Sequence, residues 1–116
     1  MVEDMPHEDI DVNTAKNMIN NGSYPNFIVL DVRTQSEYDK GHIENAILMP
    51  VEELKSRIEE LSQYKDTEIV VYCHIGARSS EASRILDSQN FSKVYNVLNG
   101  ITAWEAANYP IIAESQ

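Results

Sequence analysis

Apolar and polar positions follow two rhythms along this chain. Residues 27–32 (FIVLDV) and 68–73 (EIVVYC) are short, largely β-branched apolar runs, the pattern of strands buried on both faces. Residues 46–49, halted by Pro50, and residues 94–98 add two more such runs, and residues 10–12 read as a short first strand. Between them the apolar spacing changes. Asn13 is placed to cap a helix over residues 14–20, closed by Asn21-Gly22. Residues 34–40 fit one or two helical turns ended by Gly41. Val51, Leu54, Ile58 and Leu61 share one face of a helix, with Glu and Lys elsewhere. Ala82, Ile85 and Leu86 give a second stripe, and residues 101–108 a last helix. Strands alternating with helices predict right-handed βαβ units and a parallel sheet covered by helices on both faces, an α/β fold.

Ligands of such sheets bind at the carboxyl ends of the strands. Cys73, the only cysteine in the 116 residues, ends the strand that this pattern places most centrally. Two readings compete for it. A cysteine at the end of an apolar strand is most often inert packing. The residues that follow favour a nucleophile. Gly76 lets the backbone turn tightly, Arg78 brings a guanidinium suited to oxyanions, and Ser79 and Ser80 are placed to cap the next helix. A loop of this kind aims N–H groups and the positive end of a helix dipole at the sulfur.

Composition narrows the chemistry. The length fits one ordinary domain, expected to span residues 1–116. One cysteine cannot form an intramolecular disulfide. The first six residues lack the basic and apolar regions of a signal peptide, and no apolar run approaches a membrane span. The expected location is cytoplasmic. A formal net charge of −10 argues against nucleic acid as a partner. It also means that an anionic substrate meets an unfavourable long-range field, so any anion site has to be made locally. No His, Cys and carboxylate cluster has metal-ligand spacing, so no metal is expected.

The stretch Cys73-His74-Ile75-Gly76-Ala77-Arg78-Ser79 resembles the active-site loop of single-domain rhodaneses, a C-x-x-G-x-R-S pattern. Leu30-Asp31-Val32-Arg33, Glu37-Tyr38, Gly41-His42-Ile43, Ala46 and Pro50 resemble the first signature of that family, and Gly100-Ile101-Thr102-Ala103-Trp104 its last. The likeness runs from about residue 9 to residue 110, in the family's order. One position departs from it: Asn99-Gly100 stands where two glycines are usual. Asn is the non-Gly residue that best tolerates a left-handed backbone, so the turn is expected to survive.

The resemblance implies a five-stranded parallel sheet flanked by helices, and sulfur transfer without a cofactor. Cys73 would take the outer sulfur of thiosulfate or a related small anionic donor and hold it as a persulfide. A thiol, cyanide in an assay, or a protein acceptor would then remove it. The N–H groups of His74, Ile75, Gly76, Ala77, Arg78 and Ser79 would stabilise the persulfide, with Arg78 on the sulfonate-like end of the donor. His74 reads as a solvent-facing side chain. Asp31 and Arg33 read as structural support, Arg33 pairing with a neighbour such as Glu37. His42 reads as a structural hydrogen-bonding residue and Trp104 as core. Two alternatives stay open. One is a sulfur-carrier or regulatory module with little turnover of its own. The other is a cysteine phosphatase or arsenate reductase, whose loops place five residues between Cys and Arg where this chain has four.

Overall fold

The computed structural model describes residues 6–22 and 27–113. The signal-peptide reading of the N-terminus falls largely on residues outside that range. Five parallel strands form the sheet: β1 (Glu8–Ile10), β2 (Phe27–Asp31), β3 (Ile47–Leu48), β4 (Glu68–Tyr72) and β5 (Val94–Val97). Their spatial order is β1-β5-β4-β2-β3, so β4 is the middle strand. β4 pairs with β2 over its whole length, from Phe27 opposite Glu68 to Asp31 opposite Tyr72.

The alternation of side chains along β2 and β4 builds one core on each face of the sheet. Ile28, Leu30, Ile69 and Val71 point to one side, where they meet Leu54, Leu61, Ala82 and Leu86; Cys73, just beyond β4, continues that row. Val29, Val70 and Tyr72 point to the other side, against Ala15, Ile101 and Trp104. Among the described residues five α-helices cover the two faces: α1 (Val12–Asn21), α2 (Gln35–Lys40), α3 (Val51–Leu54), α4 (Ala77–Ser88) and α5 (Gly100–Ala106). Among the described residues no helix is long and apolar enough to cross a membrane.

Three local expectations are corrected. The first strand ends at Ile10, and α1 is capped by Asp11 rather than Asn13. An Asp11 carboxylate oxygen accepts the Thr14 N–H at 2.8 Å, satisfying one of the donors that a helix start leaves open. The helix expected through Val51, Leu54, Ile58 and Leu61 is broken after α3 and resumes as a 3-10 helix over Ile58–Tyr64. Ile58, Leu61 and Tyr64 recur every third residue, and all three pack on the same core, which suits three residues per turn. Finally, neither Ser79 nor Ser80 caps α4. The helix starts earlier, at Ala77, and Gly76 is its N-cap, with φ 126. A backbone at that angle favours glycine, and this sets the course of the loop after Cys73.

Candidate active site at the end of β4

Cys73 is a free cysteine and 1% exposed. Its side chain belongs to the core, yet its sulfur is not merely packed. Sγ accepts the Gly76 N–H at 3.0 Å and lies 3.5 Å from the Ser79 hydroxyl, which in turn donates to the Gly76 carbonyl at 3.2 Å. The sulfur therefore sits at the N-terminal end of a 12-residue helix, whose first N–H groups have no acceptor within the helix. Residues 74–76 turn directly from β4 into α4. Ile75 is 61% exposed at the crest of that turn, and His74 is exposed beside it.

The start of α5 holds the loop from below. Ile101 N–H donates to the Cys73 carbonyl at 2.9 Å and Thr102 N–H to the His74 carbonyl at 3.2 Å. Asn99 takes the left-handed conformation, with φ 64, as its tolerance for that region led us to expect. Gly100 also has positive φ, and a Cβ there would lie 2.3 Å from the Cys73 carbonyl oxygen and 2.6 Å from that of His74. Backbone cannot give way cheaply at such distances, so Gly100 is what lets α5 approach the loop. The motif quoted from this region named the glycine; the approach it permits is a property of the fold.

Two arginines, Arg33 just after β2 and Arg78 in the first turn of α4, are both held by carboxylates. Arg33, 5% exposed, donates to Asp31 from its backbone N–H, from Nε and from a terminal nitrogen, the last at 2.7 Å, and reaches the Gly41 carbonyl at 2.7 Å. Tyr72 donates its hydroxyl to Asp31 at 2.6 Å and accepts the Ile43 N–H at 3.1 Å. Burial, with the nearby Asp31 charge and its hydrogen bond, pushes the Tyr72 phenol well above its ordinary range, so it stays a donor. Burial opposes the charge of Arg33, but the bonds to Asp31 outweigh it and hold the guanidinium above its usual value. This network ties β2, β4 and the segment around Gly41 into one unit.

The second arginine corrects a pairing. Glu37 does not bind Arg33; it takes Arg78, in a two-pronged bridge of 2.8 and 2.9 Å. Both side chains are 30% exposed. A capping box at the start of α2 fixes Glu37, whose carboxylate also accepts the Thr34 N–H at 3.0 Å. The hydrogen bond from Arg78 comes first in holding the Glu37 carboxyl far below the usual range, at about 2. His42 stacks on Tyr38, 3.7 Å between ring centres, with Nδ1 at 2.8 Å from the Tyr38 carbonyl, a structural placement. Trp104 is buried, its indole N–H bonded to the Pro110 carbonyl. Beside the loop lies an open depression of about 390 Å³, lined by Arg33, Glu37, Lys40, His74 and Glu105 among others. Among the described residues no His, Cys, Asp and Glu group is arranged to hold a metal ion.

The structure brings Cys73, Gly76 and Ser79 together, and sequence reasoning missed Tyr72 and the Glu37–Arg78 bridge. The T-x-x-E spacing of Thr34 and Glu37 signalled the cap, but nothing local signals a partner 41 residues away.

Known proteins agree with this architecture. A sulfurtransferase of Allochromatium vinosum is 36% identical over 86 residues, covering 74% of this chain and 78% of its own. A candidate sulfur carrier protein of Bacillus subtilis is 41% identical over 76 residues; the match covers 66% of this chain but 40% of that protein, a part of a longer polypeptide. The crystal structure of a rhodanese-related protein from Thermoplasma volcanium superposes with a TM-score of 0.80 at 30% identity, over 92% of this chain and 99% of that one. The family model for the rhodanese-like domain matches residues 11–107, and the chain belongs to that family.

Proposed function

We propose that this protein is a sulfurtransferase that moves a sulfane sulfur from thiosulfate or a related donor to a thiophilic acceptor through a persulfide on Cys73. The observation that carries the reading is the setting of Sγ: at the end of the middle strand, at the N-terminus of α4, with the Gly76 N–H at 3.0 Å. In the first half-reaction the Cys73 thiolate attacks the outer sulfur of the donor. A new S–S bond forms, the bond from that sulfur to the sulfonate breaks, and sulfite leaves with the electron pair. In the second, an acceptor thiolate or cyanide attacks the same sulfur, and Cys73 leaves as thiolate.

The residues around the sulfur have distinct tasks in this scheme. The Gly76 N–H and the open N–H groups at the start of α4 stabilise negative charge first on the thiolate and then on the terminal persulfide sulfur. The Ser79 hydroxyl accepts from the thiol; once the proton has left, it can turn from the Gly76 carbonyl and donate to sulfur. Arg78 holds the rim of the loop together with Glu37. Asp31, Arg33 and Tyr72 fix the strand ends on which the loop stands.

The test is intact-mass measurement after incubation with thiosulfate. One added sulfur, removed by reductant and by cyanide, supports the reading. An unmodified mass with thiosulfate and with a small persulfide donor alike, under conditions where Cys73 can be alkylated, overturns it. A sulfur-carrier role is the second reading, favoured by the match to the Bacillus subtilis protein. It is separated by turnover: a carrier loads once and passes sulfur slowly to small acceptors, whereas an enzyme cycles. The same preparation should show negligible hydrolysis of an aryl phosphate, which the phosphatase alternative requires.

A further inference from the structure

We propose that Glu37 sets the donor preference of the Cys73 site: by neutralising Arg78 it disfavours dianionic donors such as thiosulfate and leaves the site suited to persulfides on carriers of low or positive charge. This inference rests on the sulfurtransferase reading and concerns which donor that chemistry takes best.

The charges at the mouth of the site support it. Arg78 is the cation that the loop itself supplies, and its charge acts on Cys73 as well as on Glu37 and Glu52. Both of its terminal nitrogens are taken by the Glu37 carboxylate. Arg33 is committed in the same way to Asp31, and is buried. Counting the charged residues that line the depression beside the loop together with these partners gives three cations, Arg33, Lys40 and Arg78, against three carboxylates, Asp31, Glu37 and Glu105. These cancel, and Glu52, whose charge also acts on Arg78, makes the local sum negative. Around it lies a chain of formal net charge −10, so a dianion meets repulsion at long range and no net attraction at short range.

A persulfide donor avoids this cost. The Cys73 thiolate attacks the outer sulfur of R–S–SH, the new S–S bond forms, the carrier's S–S bond breaks, and R–S⁻ leaves with the electron pair. The proton stays with the transferred sulfur. No oxidant or reductant is needed, and no sulfonate has to be held. An ammonium on the carrier would find Glu37 beside Arg78, and Glu105 in the depression next to His74.

Glu37→Gln isolates the charge. Glutamine serves the N3 position of a capping box as glutamate does, so α2 keeps its start while the carboxylate is lost. One unit charge about 6 Å from a dianion in water-like surroundings is worth roughly tenfold in rate. The experiment measures the second-order rate constant for adding sulfur to Cys73, by intact mass, with thiosulfate and with cysteamine persulfide. It uses the full chain, E37Q, R78Q and the double variant, each checked by circular dichroism to be folded at the assay temperature. The expected result is that E37Q gains about tenfold with thiosulfate and gains nothing with cysteamine persulfide, and that adding R78Q cancels the gain. A ratio between the two donors that does not move in E37Q overturns the inference, as does a loss with both donors in equal proportion. A gain that persists in the double variant also overturns it, because the released guanidinium would not be its cause. If cysteamine persulfide loads the wild-type protein and the ratio stays fixed, this inference fails and sulfur transfer stands. If neither donor loads any of the proteins, sulfur transfer itself fails.

Discussion

Arg33 and Arg78 each answer a carboxylate, yet they belong to different kinds of structure. The Asp31–Arg33 pair is sealed: Asp31 is fully buried, and its oxygens are occupied by Arg33 and Tyr72. The Glu37–Arg78 pair is wet, with nearly a third of each side chain open to solvent. In the first place an unpaired charge has nowhere to go, so the network holds the strand ends as a unit. In the second, water can replace either partner at little cost, so the pair is free to tune charge at the mouth of the site. Burial, not the identity of the residues, separates scaffold from tuning.

Four substitutions break or sharpen that contrast, taken here from the largest effect downward. Cys73→Ser should remove persulfide formation altogether while circular dichroism stays wild-type, since a hydroxyl is nearly isosteric but cannot carry the sulfur. Persulfide on the serine variant would place the chemistry elsewhere. Arg33→Ala should cost about 3–5 kcal/mol in urea unfolding, because it leaves the Asp31 carboxylate buried without its cation. A loss below about 1 kcal/mol would mean that Tyr72 alone suffices for Asp31. Gly100→Ala should cost about 1–3 kcal/mol by overpacking, with added strain at positive φ. It should slow sulfur loading as well, since the Cβ meets the carbonyls of the loop. Stability lost with loading unchanged would show that the loop tolerates the shift.

Glu37→Gln should change stability least, by less than about 1 kcal/mol at neutral pH. The sign of its pH dependence follows from the low carboxyl pKa. The group is held at about 2 in the fold against an ordinary 4.5. Its contribution is therefore complete above about pH 4.5 and fades as pH falls toward 2. Wild type and E37Q should differ in unfolding midpoint at pH 6 and converge over that acid window. Divergence on acidification would contradict the pairing.

Much of the architecture was legible because β2 and β4 are buried on both faces and so read as unbroken apolar runs. β1, with Glu8 and Asp9 exposed and Ile10 buried, carries little such signal, and its boundary slipped accordingly. The break after α3 was hidden because spacings of three and four residues suit an α-helix and a 3-10 helix almost equally over two turns. In the site, Cys73 and its glycine were legible as a compact motif. Tyr72 was not, since an aromatic residue in an apolar strand shows nothing of where its hydroxyl points. Glu37 and Arg78 meet only because α2 follows β2 and α4 follows the adjacent β4. That proximity comes from the strand order, which pattern alone leaves open.

The central claim, that Cys73 carries sulfur between two separate half-reactions, is tested most directly by taking them apart. Protein loaded with thiosulfate is freed of donor by desalting, weighed, mixed with cyanide and weighed again while thiocyanate is measured. The account predicts one thiocyanate for each persulfide lost, with the mass returning to that of the unmodified chain and no donor present. Thiocyanate formed only when donor and cyanide are together, or a persulfide that cyanide leaves in place, would contradict it.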